Sequence, residues 1–570
     1  MRKGGAMVVG IALGVPGCYV GLPDSPEATA GAATDDDDGG DDEGDDDDGA
    51  DGDGGPAEAD HVAIVGLRRL TAREYDDTLR DVLLDEQSNA ALILPTDALT
   101  PFDNDYTTQL PSEALVEAAE LLATDAADRL FEDPPRMETL LGCTPTGPAD
   151  EPCLRTFVQS VGRRVLRRPL TDAEVEIYLH GDDGLEGAVE LADTAGDFGI
   201  GVHVVVRTLL QDVEFLYRVE VGTPVPDVEG LYALNDFEVA SRLSYLLWGS
   251  APDDWMLDRA EAGGIAEPDD VVEVATMMLQ DERAVARINR FHALWLGYET
   301  LPFSGTLADA MQAETRGLIE RIVFDEDRPW QDLFRSTETF VGDALAEHYG
   351  LTPPGSVEPV WVDYGDSRRA GLLSHGTFLS NGGKFGDTSP VQRGKMVRTR
   401  VFCQDIPPPP PGVDVDQPPQ GEAALCKRER YGVHAEGGCA SCHDQIDPVG
   451  FGLEAYGPLG RFREFEVDNP DTPEDETVCE IDGEGELVGI GPFSGPAELA
   501  ELALQAGFLD ACVKQQLYRF VVGRYELTSM DVEFINAASE AMGEGEFTFR
   551  ELLLQFVGDE TFGFRREDVG

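Results

Sequence analysis

The sequence predicts a mainly α-helical protein, built of several helical modules behind a disordered acidic linker. Three observations carry that prediction. A threonine followed three residues later by glutamate, the reciprocal cap that satisfies two orphan amides at a helix start, occurs twice in matching surroundings, as Thr71 with Glu74 and as Thr171 with Glu174. Apolar residues then recur at three- and four-residue spacing through most of the chain after residue 62. Strand-like runs such as 359–362 are few.

In chain order, Arg2 and Lys3 precede an apolar run from Ala6 to Val15 and then Val15-Pro16-Gly17-Cys18. This is the order of a secretory signal ending at a lipoprotein cleavage site. Residues 1–18 are expected to be a signal peptide, with Cys18 lipidated and holding the protein to a membrane. Residues 19–61, mostly Asp, Gly and Ala, have almost nothing to bury and read as a disordered spacer.

The first helical module, 62–135, has a helix from the Thr71 cap to about Leu84 and another over 115–130. A loop at 144–152 leads to the second, 150–215, with helices over 154–166 and after Thr171. The arginine pairs before the caps, Arg68-Arg69 and Arg167-Arg168, read as internal ion-pair partners and not as a binding face. The third, 228–355, opens on Asn235 with Glu238 and runs to a stop at Gly249 and Pro252. Helices follow at 271–279, 283–296, 308–324 and 330–334, with Trp248, Trp255, Trp295 and Trp330 as wedges between them. Residues 366–466 differ in texture: a Gly-rich loop, a short helix to Cys403, an extended proline run at 407–411, and a turn at Asp447-Pro448-Val449-Gly450. A last helical module occupies 480–560.

The chain of 570 residues carries 111 acidic and 42 basic residues, a formal net charge of −69. That leaves no broad cationic surface to neutralise phosphates, so nucleic acid is not an expected partner. Residues 35–60 hold 15 of the acids, so the acidity is not confined to one tail. Beyond the signal, no stretch approaches the roughly 18–20 apolar residues that span a bilayer. No Walker loop, dinucleotide fingerprint, HExxH or GxSxG stands out.

The chemistry-bearing stretch is Cys439-Ala440-Ser441-Cys442-His443. In an exported protein, two thiols three positions apart followed by histidine are the attachment signature of a c-type haem. One turn of chain presents both sulfurs to the porphyrin vinyl groups, and the adjacent imidazole lies under the ring as proximal iron ligand. The competing readings are a CxxC disulfide and half a zinc site. His443 is the expected proximal ligand and His434 a possible distal one, with His375, Met396, Met530 and Met542 as weaker candidates. A five-coordinate iron stays open, and the carbonyl of Pro448 or a neighbour is placed to orient the imidazole. With Cys18 given to lipid and Cys439 and Cys442 to haem, six cysteines remain. Cys143 with Cys153, Cys403 with Cys426 and Cys479 with Cys512 would each close a loop within a plausible domain.

Segments 67–84, 157–179, 234–248, 291–296, 339–350, 388–413, 439–463 and 493–524 resemble, in that order, segments of the Planctomycete-type cytochrome c proteins. These are large exported proteins with domains of unknown function around one CxxCH domain. The resemblance is most specific at TSPVQRGKMVR, CASCHDQIDPVGFGLEAYGPLGRFR and CVKQQLYRFVVGR. It implies a small c-type cytochrome-like domain at 366–466, three helical modules before it and one after. Two departures stand out: the acidic spacer replaces an N-terminal cytochrome domain, so one haem is expected, and Ile446 stands where relatives often have methionine. The resulting expectation is an envelope lipoprotein, periplasmic or outer-membrane attached, with one covalent haem c, exchanging electrons with a redox partner. The alternatives are a haem-dependent oxidase or peroxidase acting on an extracellular substrate, and a non-haem surface protein with a CxxC disulfide.

Overall fold

The computed structural model describes residues 62–567 apart from 101, 183, 266, 385, 410–425, 436–438, 469–476 and 544. Cys18, the acidic linker and the last two prolines of the 407–411 run lie outside the described residues. The architecture is mainly α, with only two- and three-stranded sheets among the described residues.

The first two modules share one core. Helix α1 (Ala72–Leu83) starts at the Thr71–Glu74 capping box, and α2 (Glu113–Phe131), α3 (Glu151–Val165), α4 (Asp172–His180, with the Thr171–Glu174 box) and α5 (Phe198–Leu209) pack against it. The arginines before both caps are ion-paired or hydrogen-bonded inside the protein. Arg69 meets Asp97 at 2.5 Å, Arg168 bridges Glu174 and Glu214, and Arg167 donates to the carbonyls of Val165, Phe215 and Tyr217. Arg68 and Arg242 converge on buried Glu220, each at 2.6 Å. Burial would raise the Glu220 carboxyl, but the Arg242 and Arg68 guanidiniums outweigh it and hold the group well below the usual range.

A second, larger core runs through α6 (Asp236–Leu247), α7 (Glu282–Leu296) and α8 (Thr306–Glu320), the 369–466 segment and the C-terminal helices. Asn235 and Glu238 form the expected capping box, and α8 ends in a π-helical turn, Arg321–Asp325. Trp248, Trp295 and Trp330 are buried wedges, with Trp295 stacked on Trp330 at 5.8 Å. Trp255 departs from expectation and is 43% exposed, because its place in the first turn of Asp254–Glu261 turns it away from Met256 and Leu257, which take the core.

Disulfides join Cys143 to Cys153, Cys403 to Cys512 and Cys426 to Cys479. The first pairing is the expected one, whereas Cys403–Cys426 and Cys479–Cys512 are corrected. Cys403 follows a π-helical turn, Val397–Val401, that packs on the C-terminal helix carrying Cys512, so its partner lies 109 residues away. Cys426 lies beside the hairpin of Phe465–Asp468 and Thr477–Glu480, which presents Cys479. Such bonds persist in oxidising compartments. No helix among the described residues is long and apolar enough to cross a membrane.

Candidate functional site

The CxxCH stretch begins α10 (Ala440–Phe451), which lies across α9 (Pro390–Met396). Two glycines permit the crossing. A Cβ on Gly394 would stand 1.9 Å from the Ile446 carbonyl oxygen, and one on Gly450 would stand 1.8 Å from that of Pro390. The TSPVQRG and DPVGFG motifs are therefore two halves of one close backbone contact. Arg393, buried on α9, donates to the carbonyls of Leu379, Leu453, Tyr456 and Gly457 and locks the far end of α10. Lys427 sits between Asp387 at 2.7 Å and buried Glu454 at 2.9 Å, fixing the approach to the turn that holds His434.

The expected turn at Asp447-Pro448-Val449-Gly450 is instead the continuation of α10. Pro448 has no N–H to give the helix, and the contact through Gly450 holds the segment helical. That difference has a chemical result. On a helix, Asp447 stands four residues beyond His443, on the same face, and its Oδ1 accepts from His443 Nδ1 at 2.9 Å. Its Oδ2 accepts from His434 Nδ1, also at 2.9 Å. The orienting group is thus the Asp447 carboxylate, and the expectation of a carbonyl at or next to Pro448 is corrected. Burial would raise the Asp447 carboxyl, but the donors on His434 and His443 prevail and keep it below its ordinary value. An ionised carboxylate only accepts, so each Nδ1 carries a proton, and it is the neutral form of His443 that offers an Nε2 lone pair to a metal.

Cys439 and Cys442 are free thiols, the first exposed and the second partly so, in contrast to the three disulfides elsewhere. A cleft of about 670 Å³ opens at His443, within the range of cofactor sites. Its apolar walls are Tyr431, Pro448, Phe451, Pro492 and Phe493. The last two come from a hairpin of β-strands β1 (Glu484–Leu487) and β2 (Gly491–Ser494). Two accessible sulfurs, an imidazole with Nε2 available and an aromatic-walled cleft beside it fit a covalently held porphyrin.

The His434 ring touches that of His443, with centroids 4.0 Å apart, both rings bond the Asp447 carboxylate, and His434 does not line the cleft. The other candidates are also elsewhere. His375 is fully buried, with Nδ1 3.0 Å from Thr315 Oγ1 and Nε2 3.8 Å from Glu314. Met396 and Met542 pack against the large core, and Met530 does not line the cleft. Ile446 is buried in the contact of α9 with α10. Among the described residues, His443 is the one histidine lining the cleft, and no methionine does. Asp447 was the residue missed from sequence, and its signal was the four-residue spacing from His443.

Free thiols at a helix start, with a cofactor-sized cleft at the adjacent histidine, are what a cytochrome-associated protein would need. Comparison with known families agrees. Residues 68–132 match PSD3, a protein of unknown function (DUF1587), and 153–220 match PSD5 (DUF1595). Residues 234–351 match PSD4 (DUF1592), and 369–466 match PSCyt3 (DUF1588), the segment that carries the cleft's histidine. The chain belongs to the Planctomycete-type cytochrome c protein family. No curated protein and no solved structure matches it.

Proposed function

We propose that the protein is an exported, lipid-anchored c-type cytochrome with one covalent haem, passing electrons at the cell envelope to a redox partner. The observation that carries this reading is the conjunction of the free Cys439 and Cys442 thiols with His443 at the mouth of an aromatic cleft. Cys439 and Cys442 would form the thioether links, and His443 Nε2 would be the proximal ligand. The bound group supplies a one-electron ferric–ferrous couple. Asp447 orients His443 through its Nδ1, while Tyr431, Phe451 and Phe493 would shield the bound group's face from water. Lipid on Cys18 would tether the body through the acidic linker, and the strongly negative surface leaves nucleic acid out of the account.

Expression with haem-maturation machinery tests the reading. A sharp reduced α-band and haem that stays with the denatured chain are expected, and both are lost in Cys439→Ser with Cys442→Ser. Covalent haem retained in the double variant would show the attachment site to be misplaced; no haem in the parent would leave a non-haem surface protein. A second reading, a haem-dependent oxidase or peroxidase, is favoured by the Asp447 carboxylate behind His443, since an electron-rich proximal ligand assists O–O cleavage. Rapid spectral change with peroxide and cyanide supports that reading, and inertness supports the carrier.

A further inference from the structure

Both oxygens of Asp447 are in use, Oδ1 by His443 and Oδ2 by His434, and the two imidazoles lie in contact. A carboxylate that accepts from one N–H directs its charge there, and one that accepts from two divides it. We propose that Asp447 and His434 are a positioning pair that sets the donor strength of His443, with Asp447 raising it and His434 moderating it. This rests on the reading of His443 as the iron ligand.

Asp447 is 7% exposed, so its charge acts through a weakly screening surrounding and not through bulk water. Tyr431 stands edge-on to His434 at 5.2 Å and edge-on to Phe451 at 6.0 Å, so aromatic rings border the pair. A carboxylate bonded to Nδ1 makes an imidazole more electron-rich at Nε2, and an electron-rich axial ligand favours ferric over ferrous iron. Taking away the carboxylate must therefore raise the midpoint potential. Taking away His434 must lower it, because the carboxylate then serves His443 alone. Opposite signs distinguish this arrangement from an axial role for His434, whose loss would leave the iron with weaker ligation and raise the potential.

The test uses the full-length, haem-matured protein, with spectroelectrochemical titration and the spin-state bands of the optical spectrum as readouts. Asp447→Asn is expected to shift the ferric–ferrous equilibrium at least tenfold toward ferrous, about 59 mV for a one-electron couple. Asp447→Glu should recover most of that shift. His434→Phe, which keeps a ring without a donor, should shift the equilibrium toward ferric with spin-state bands unchanged. The proposal is overturned if both variants move the same way, if neither moves, or if His434→Phe converts low-spin to high-spin iron. Should Asp447→Asn fail to acquire haem, His434→Phe decides alone: a potential at or above the parent's overturns the proposal. A parent protein without covalent haem overturns the reading beneath it, and covalent haem with unmoved potentials overturns only this inference.

Discussion

Asp531 is buried where the chain turns between the last helices, and its two oxygens collect nearly every donor in reach. Arg524 approaches at 2.9 Å and 3.0 Å, the amides of Leu527 and Thr528 at 2.7 Å and 2.9 Å, and the Tyr518 hydroxyl also donates. Burial works to raise the carboxyl, but Arg524 and the other donors win and bring it down to about 2. A depressed value in the folded state stabilises the fold above the unfolded aspartate's value, about 3.9. That contribution is lost as pH falls through the folded value, because the unfolded chain then binds the extra proton. A gap near two units corresponds to about 2–3 kcal/mol. Asp531→Asn is expected to lose about that much at neutral pH, and the parent's advantage over it should vanish between about pH 4 and pH 2. Urea denaturation across that range checks this, and parallel curves for the two proteins would refute it. At this scale the CxxCH pattern is visible in the sequence because its residues are adjacent. The role of Asp447 is not, since it exists only once residues 440–451 are wound into one helix.

That winding is a property of two elements. Residues 447–450 carry a proline and a glycine, and local preference alone reads them as a turn; α10 runs through them because α9 lies within backbone contact at Gly394 and Gly450. Neither glycine is in the left-handed region, so the constraint is steric and comes from the neighbouring helix. In an isolated helix, alanine at either position would be favoured by about 1 kcal/mol. Here Gly450→Ala should destabilise by about 1–3 kcal/mol, since the carbonyl at 1.8 Å must move. It should also weaken haem retention by displacing His443. Gly491→Ala, with nothing within 4 Å of its Cβ, is the matched control. Thermal melts that rank the two variants equally would show that the crossing is not held by this contact. Where a cap decides an element, the sequence reading was good to a residue or two, as at Thr71, Thr171 and Asn235. Where a partner helix decides it, nothing local carried the signal.

Across the described protein, the segments that match separate families do not close separate cores. Leu372, Leu373, Phe378, Val397 and Val401 from the CxxCH-bearing segment belong to the same apolar cluster as Trp295, Trp330, Leu509 and Leu517. Polar contacts cross the same boundaries. Trp295 Nε1 donates to the Arg400 carbonyl, Asn104 to that of Phe520, and Arg524 to that of Ile64. Spacing along the chain favoured Cys403 with Cys426 because it cannot register this sharing; the folded contact joins Cys403 to Cys512. The correction has an energetic consequence. Loop-closure entropy grows with the enclosed length, so the bridge spanning 109 residues should contribute about 4–5 kcal/mol and the one spanning 10 about 3 kcal/mol. Cys403→Ala with Cys512→Ala is therefore expected to lower the melting temperature more than Cys143→Ala with Cys153→Ala. Because the long bridge ties the cleft-bearing segment to the C-terminal helices through a common core, its loss should bring haem absorbance and far-ultraviolet ellipticity down in one transition. Calorimetry alongside the two optical signals is the check. Equal losses for the two pairs would place the stabilisation outside loop closure, and a haem transition separate from the helical one would mean that the 369–466 segment stands on its own.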